Sequence, residues 1–168
     1  MRRLIALAVS TMVWAAGAAA AQDRAELRLG GGVNYWVALE DIDLDEIEED
    51  GFSYVLSLQL RNPMAGLGVD AEMMPERYGD DAYSGLAYVI LGRGIYAAAG
   101  IGINYVDGEF AEEPFYALRA GVDLEILSSL RLDIYATYRF QDTADLKGDD
   151  TDIDTDTVFL GAALRLAF

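Results

Sequence analysis

Residues 130–141 read LRLDIYATYRFQ, and this stretch decides between the fold classes open to the chain. Every second residue is apolar, from Leu132 through Ile134 to Phe140, and the positions between them are mainly charged or polar. Side chains of a β-strand point alternately to opposite faces, so a period of two predicts a strand with one apolar face. Residues 115–127 and 154–168 show the same pattern, which indicates a sheet of several such strands.

Eight stretches of the chain alternate in this way, and no compositional break separates them. They are 25–39, 51–61, 66–75, 82–92, 94–106, 115–127, 130–141 and 154–168. Short turns alternate with longer acidic loops. The turns are 61–66, 91–94 and 127–130, and the loops are 40–50, 76–81, 107–114 and 142–153. This order predicts an all-β fold, an eight-stranded antiparallel up-and-down barrel with two unlike ends.

The composition of the polar face indicates what the barrel encloses. This face combines many small residues with six acids and six arginines, a neutral set in a chain of net charge −17. The charged members are Glu26, Arg28, Arg61, Asp70, Glu72, Arg119, Asp123, Glu125, Arg131, Asp133, Arg139 and Arg165. A narrow closed interior needs small residues and paired charges, because an unpaired buried charge is very costly. We therefore predict a transmembrane barrel with its aliphatic face toward lipid and this charge network in its lumen.

The fourth strand divides less clearly into two faces. Here we expect an almost apolar set of side chains to face inward. That set is Tyr83, Gly85, Ala87, Val89 and Leu91.

The N-terminus has the three parts of a secretory signal. Arg2 and Arg3 give a basic start, an apolar stretch follows, and an Ala-x-Ala site at Ala19 and Ala21 precedes Gln22. We predict a signal peptide over 1–21 and one barrel domain over 22–168. Cleavage leaves 10 of the 12 basic residues against 29 acids, a net charge of −19. An uncleaved anchor helix is the alternative, because residues 4–21 are mostly apolar.

The residue types present exclude several kinds of chemistry. The chain has no cysteine and no histidine, which rules out a disulfide framework, a thiolate metal site and a Ser-His-acid triad. With only 12 Lys and Arg residues, it is not expected to bind nucleic acid. The serines Ser53 and Ser57 have no evident base. Two carboxylate pairs, Asp70 with Glu72 and Asp123 with Glu125, are better explained as partners of arginines. We predict a protein without enzymatic activity and without a cofactor.

Aromatic residues and the C-terminal residues suggest a family. Aromatic residues lie within a few positions of the long loops, where an interfacial girdle is expected. They are Tyr35, Trp36, Phe52, Tyr54, Tyr105, Phe115, Tyr116, Tyr138 and Phe140. The sequence closes with Leu164-Arg-Leu-Ala-Phe168. With its eight strands it resembles the small eight-stranded outer-membrane β-barrels, the family of the OmpA membrane domain, OmpX and the opacity proteins. The resemblance implies a place in the bacterial outer membrane, contact with its lipid, and recognition of Phe168 by the outer-membrane assembly machinery.

The acidic loops contain two aspartate triplets with the spacing of calcium ligands. The candidate residues are Asp41, Asp43, Asp45, Asp152, Asp154 and Asp156. Both triplets lack the glycine and the distal glutamate of an EF-hand. Our hypothesis is weak binding of Ca²⁺ or Mg²⁺ next to anionic lipid, and the alternative is a solvated acidic rim without a metal.

Three functions follow from these patterns. The first is a non-enzymatic integral outer-membrane barrel whose acidic surface loops serve interaction or envelope integrity. The second is a lipid-modifying outer-membrane enzyme. The third is a soluble periplasmic lipocalin-like binder, in which the apolar set would line a ligand cavity.

Overall fold

Eight long strands form the molecule. The computed structural model describes residues 25–39, 50–75, 77, 81–106, 108–140, 142, 144–145, 152–153 and 156–168. The strands are β1 (Glu26–Ala38), β2 (Asp50–Arg61), β3 (Ala65–Met74), β4 (Ala82–Arg93), β5 (Ile95–Val106), β6 (Phe115–Leu127), β7 (Leu130–Phe140) and β8 (Thr157–Ala167). The predicted signal peptide over 1–21 lies outside the described residues.

Each strand pairs antiparallel with its neighbours in the chain, and β1 pairs with β8 to close the sheet. Along this seam Arg28 lies opposite Ala167 at one end, and Ala38 lies opposite Thr157 at the other. The predicted all-β fold, an eight-stranded up-and-down barrel, is confirmed. Two predicted loops contain short strands, Glu109–Phe110 against the end of β5 and Ala144–Asp145 against Asp152–Ile153. No helix in the described ranges has the length and apolarity to cross a membrane.

The aliphatic face of the barrel points outward. Ile134 and Leu164 are each about half exposed, at 50% and 52%, whereas the neighbouring positions Asp133 and Arg165 are 2% exposed. The interior is therefore the polar side of the sheet. This facing is the one predicted for a transmembrane barrel and the opposite of what a soluble lipid binder requires.

The prediction for the fourth strand was wrong. Tyr83, Gly85, Ala87, Val89 and Leu91 face outward, and the inward set of β4 is Ser84, Leu86, Tyr88 and Ile90. Both sets are largely apolar, so alternation alone could not choose between them. The neighbouring strands decide: Tyr88 lies opposite Gly68 of β3 and Gly100 of β5, whose missing side chains leave room for its ring.

The aromatic girdle is smaller than predicted. Trp36 and Phe115 are 0% and 1% exposed and face the lumen. The remaining seven aromatic residues face outward or lie at the outer surface near the long-loop end of the barrel. Two pairs of them are in ring contact, Tyr35 with Phe52 at 5.3 Å and Tyr138 with Phe140 at 4.6 Å between centroids. A third contact joins Tyr105 to Phe110 at 4.9 Å.

Inward glycines provide the space that lumenal aromatic rings occupy. A Cβ atom added to Gly121 would lie 2.7 Å from the Cζ atom of Tyr96, and one added to Gly161 would lie 2.5 Å from the Tyr135 ring. Gly68 and Gly102 stand in the same relation to Tyr88 and Phe115. These four glycines thus have a packing role: each lies beside a ring on an adjacent strand.

Candidate functional site

The lumen holds the charged residues singled out in the sequence, and Asp123 is the centre of the group at its short-turn end. Asp123 Oδ2 lies 2.5 Å from Arg28 Nη1 and 3.2 Å from Arg61 Nη1, and its Oδ1 accepts from Arg131 Nε at 3.0 Å. Glu26 pairs with Arg28 at 2.5 Å, and Glu125 pairs with Arg131 at 3.1 Å. The side chain of Glu125 is 60% exposed, so this acid lies at the mouth of the barrel and outside the closed lumen.

A second acid, Asp133, lies directly opposite Asp123 on the neighbouring strand. Two like charges facing each other across a sheet are destabilising, so both need counterions. Asp133 forms a salt bridge with Arg165 and accepts hydrogen bonds from the Tyr96 hydroxyl at 2.9 and 3.0 Å. Arg165 also donates to Ser57 Oγ at 3.2 Å.

The middle of the lumen is occupied by Arg119 and Asp70. Arg119 Nη2 lies 2.8 Å from Asp70 Oδ2, and the guanidinium lies between the rings of Tyr88 and Tyr135, at 4.6 and 4.4 Å from their centroids. The Tyr88 hydroxyl donates to Asp70 Oδ1 at 2.8 Å, and Arg119 Nε donates to Thr137 Oγ1 at 2.8 Å. Aromatic faces and a carboxylate together replace the water that this arginine loses on burial.

Nearer the long-loop end, Arg139 forms a salt bridge with Glu72. Glu72 also accepts hydrogen bonds from Ser53 Oγ and, at 2.5 Å, from Asn34 Nδ2. The guanidinium of Arg139 lies 4.0 Å from the centroid of the Phe159 ring and 4.6 Å from that of Phe115. All twelve predicted network residues are thus near the lumen or at its mouth, where each acid contacts at least one arginine.

A further ion pair closes the lumen at the long-loop end, and it was missed in the sequence. Arg77 Nη1 lies 2.9 Å from Asp142 Oδ2, and both side chains are almost fully buried. Arg77 Nη2 donates to Thr157 Oγ1 at 2.7 Å, and Asn104 Nδ2 donates to Asp142 Oδ1 at 2.8 Å. The guanidinium also lies 4.6 Å from the centroid of the Trp36 ring. We call Arg77 and Asp142 the latch pair.

The latch pair was missed because both residues lie in segments predicted as exposed acidic loops. The signal that could have found Arg77 is that it is the single basic residue of 76–81. Burial by itself raises the pKa of Asp142, but the charges of Arg77 and Arg139 and the hydrogen bonds from Asn104 and Arg77 outweigh it. The net effect lowers this pKa below its usual value.

The candidate catalytic groups all take part in structural contacts. Ser53 is bonded to Glu72, and Ser57 to Arg165, with Tyr88 3.4 Å away. The acids of both carboxylate pairs, Asp70 with Glu72 and Asp123 with Glu125, contact arginines. In the described part of the structure, each of these hydroxyl and carboxylate groups thus has a side-chain partner.

Most of the candidate metal ligands lie outside the residues that the structure describes. Asp41, Asp43, Asp45 and Asp154 lie there, and Asp152 is described only as backbone in a short strand. Asp156 accepts a hydrogen bond from the Tyr138 hydroxyl at 2.5 Å. Among the described side chains, no group of three or more acids is placed to hold a metal ion.

Comparisons with known proteins give matches at the level of structure. No protein-family model matches the chain, and no curated protein sequence matches it. The crystal structure of Neisserial surface protein A has a TM-score of 0.63 at 19% identity, over 84% of this chain and 97% of that one.

Two further structures match less closely. Ail of Yersinia pestis, in complex with the heparin analogue sucrose octasulfate, has a TM-score of 0.50 at 14% identity, over 86% of this chain and 99% of that one. The N-terminal β-barrel domain of Pseudomonas aeruginosa OprF has a TM-score of 0.50 at 11% identity, over 87% and 98%. Identities this low compare folds only. The chain has the fold of the small eight-stranded outer-membrane β-barrels, the family that its sequence resembles.

Proposed function

We propose that this chain is a non-enzymatic integral protein of the bacterial outer membrane. The observation that carries the proposal is the facing of the sheet, with aliphatic side chains outside and paired charges inside. Exposed aliphatic residues over the whole height of the barrel would be costly in water but are matched to hydrocarbon. The outward aromatic rings near the long loops suit the interface between hydrocarbon and head groups.

The filled lumen supports a role that does not depend on general permeation. An eight-stranded barrel has an interior just wide enough for side chains. Here Arg119, Arg139 and Arg165, with their aromatic and acidic partners, occupy it at successive depths. The surface loops are then the parts of the protein that remain to contact the environment, and their acidic character favours interaction or envelope integrity as their role.

Export and assembly belong to the same proposal. The predicted signal peptide over 1–21 would bring the chain across the inner membrane. The side chain of Phe168 is 73% exposed, and its backbone pairs with Leu27 of β1. An exposed aromatic group at the end of the last strand is what the outer-membrane assembly machinery would need to recognise.

Weak binding of Ca²⁺ or Mg²⁺ by the acidic loops stays a prediction. It rests on the two aspartate triplets, and calorimetric titration of the refolded protein with calcium tests it. Heat no larger than that of the buffer control would remove the metal and leave a solvated acidic rim.

The absence of cysteine from the sequence allows a direct test of location and orientation. Single cysteines are introduced at Glu113, which is exposed near a long loop, and at Ser128, which is exposed in the short turn between β6 and β7. Intact cells are treated with a membrane-impermeant maleimide. We expect labelling of Glu113→Cys in intact cells and labelling of Ser128→Cys only after the outer membrane is permeabilised.

The same cells provide the control for the membrane itself. The unboiled protein should be found in detergent-extracted outer membrane and migrate differently from the boiled sample on a gel. Recovery in the periplasmic fraction without detergent would contradict the proposal. Labelling of Ser128→Cys in intact cells would contradict the orientation alone.

A further inference from the structure

A pocket opens at the short-turn end of the lumen, apart from the latch pair and the long loops. Its volume is about 170 Å³, well above the roughly 10–15 Å³ that a single water needs. The basic residues in its wall are Arg28, Arg61, Arg93 and Arg131. Three acids also line it, Glu26, Asp123 and Glu125. The wall therefore carries one positive charge in excess, although the chain as a whole carries −17.

The acids leave the cluster incompletely neutralised. Arg28 and Arg61 both contact the same oxygen, Asp123 Oδ2, at 2.5 and 3.2 Å. Two guanidinium groups therefore share one carboxylate atom, and Glu26 pairs with Arg28 alone, at 2.5 Å. The other Asp123 oxygen is used by Arg131 at 3.0 Å. A second anion at this point would relieve the repulsion between the two cations, which is strong where water is partly excluded.

Arg93 adds a cation that is free to bind a ligand. It ends β4 in the turn before β5, is exposed, and has no acidic partner among the described residues. Guanidinium groups present several N–H donors in one plane and bind phosphate oxygens in pairs. Arg93 can thus contribute such donors at the rim of the pocket.

Hydrogen bonds join the elements that form the pocket wall. The nitrogen of Gly92 donates to Met64 O at 2.9 Å, and Asp123 N donates to Gly94 O at 2.6 Å, so the β4–β5 turn is joined to the β2–β3 turn and to β6. Arg61 Nη2 donates to Gly92 O at 2.8 Å. Gly92 and Gly94 have φ angles of +111° and +74°, which L side chains rarely adopt, so this turn depends on glycine. Arg28, Arg61 and Arg131 are held in place by their ion pairs with Asp123, so these three donors would lose little freedom on binding a ligand.

We propose that this pocket binds a phosphate group. In the orientation proposed above it faces the periplasm, so the group would come from free phosphate or from a phospholipid head group of the inner leaflet. This assignment of compartment rests on the proposed function, whereas binding itself depends only on the pocket.

The test uses the refolded protein in octyl glucoside micelles, which contain no phosphate. Inorganic phosphate is titrated in by calorimetry, and the Nε–H resonances of the arginines are followed by NMR. We expect saturable binding with shifts confined to the pocket arginines. Arg93→Gln should weaken it about tenfold, the effect of losing one charge-assisted hydrogen bond. Glu125→Gln should tighten it about threefold by removing a nearby negative charge.

Glu113→Gln is the matched control for Glu125→Gln, because it removes the same charge from an exposed position at the long-loop end of the barrel, away from the pocket. It should bind phosphate like the unchanged protein. A second arm uses nanodiscs of phosphatidylglycerol: if a head group fills the pocket, the same resonances are already shifted and added phosphate changes them little. Lack of binding in both arms would overturn the proposal, and so would binding that neither Arg93→Gln nor Glu125→Gln alters. Either result would hold whether or not the barrel resides in the outer membrane.

Discussion

Tyr96 shows how one missing side chain determines where a lumenal ring can lie. Its ring fills the space above Gly121 on the adjacent strand, and its hydroxyl reaches Asp133. The hydrogen bonds to Asp133 fix the far end of the ring, so the ring cannot swing away to admit a larger neighbour. Glycine at 121 is therefore required by packing, although the backbone there is ordinary extended strand.

We predict that Gly121→Ala destabilises the barrel by about 1–3 kcal/mol, as overpacking of a tight interior does. The added methyl group would lie 2.7 Å from Tyr96. The measurement is urea-induced unfolding in micelles. Gly85→Ala is the control, because nothing lies within 4 Å of a Cβ atom there and the residue faces outward. It should be neutral or stabilise slightly, since alanine loses less backbone entropy than glycine in a strand. Equal effects of the two substitutions would show that glycine is not required at position 121 to make room for the Tyr96 ring.

Trp36 and Phe115 show that alternation along a strand is a better guide to facing than distance from a loop. Both are aromatic and lie near a long loop, as the girdle residues do, and composition does not separate the two groups. Alternation does separate them: Trp36 lies eight residues after the lumenal Arg28, and Phe115 lies four residues before the lumenal Arg119, so each shares the face of that arginine. Gly102 on the neighbouring strand then leaves room for the Phe115 ring. A glycine on the neighbouring polar face is a signal, but it can be read only when the strand register is known.

Between elements, the arginine–carboxylate pairs hold the strands to one another across the lumen. Arg119 belongs to β6 and Asp70 to β3, which lie on different sides of the barrel, and their contact of 2.8 Å spans the interior. Removing one member leaves a buried charge without a counterion. Replacing both with apolar residues leaves no buried charge unpaired, so the loss of stability is smaller than for either single replacement.

We predict that Asp70→Asn destabilises the barrel by about 3–5 kcal/mol, the range for breaking a buried ion pair by loss of one partner. The double variant Asp70→Leu with Arg119→Met should be more stable than either Asp70→Leu or Arg119→Met. A double-mutant cycle based on unfolding in urea provides the interaction energy. Additive losses would mean that these two residues do not act as a pair.

The latch pair gives the barrel a pH dependence at its long-loop end. Because the pKa of Asp142 is lowered in the folded protein, its charge stabilises the fold fully above the pKa of the unfolded chain, which is near 3.8. This stabilisation is lost as the pH falls through the lower, folded pKa. We expect stability to fall below pH 4 more steeply in the unchanged protein than in Asp142→Asn, measured by urea unfolding at several pH values. Parallel curves for the two proteins would contradict this role of Asp142.

At the scale of elements, the sequence predicted strand number, order and pairing because each rests on a local pattern. The short turns and the strong alternation of β6, β7 and β8 needed no tertiary information. The facing of the fourth strand was predicted wrongly because its two faces are almost equally apolar. The inward residues are Ser84, Leu86, Tyr88 and Ile90. The latch pair was not predicted, for a different reason. Arg77 and Asp142 are 65 residues apart in the chain, and no local pattern indicates such a contact.

In the whole molecule, the apolar face of the sheet points outward and the polar face inward, the reverse of the arrangement in a water-soluble barrel. In the proposed membrane location, the free energy that favours this arrangement would come from the surrounding hydrocarbon, and the paired charges of the interior would contribute specificity. The outer surface should then tolerate polarity according to depth. In a transmembrane barrel, a residue in the middle of a strand meets hydrocarbon, whereas one beside a turn meets head groups and water.

Ile134 and Ile126 allow this depth dependence to be measured with one kind of substitution. Ile134 lies at the middle of β7 and Ile126 next to the turn that ends β6, and their side chains are similarly exposed, at 50% and 52%. We predict that Ile134→Arg destabilises the barrel in lipid bilayers by about 2–4 kcal/mol and Ile126→Arg by at most about 1 kcal/mol. The measurement is reversible unfolding in liposomes, with intensity of the heat-modified gel band as a second readout. In water the two positions would be equivalent, because equal exposure would make arginine equally acceptable at both. A difference in the predicted direction therefore reports on the hydrocarbon, and equal costs would argue against a membrane around the barrel.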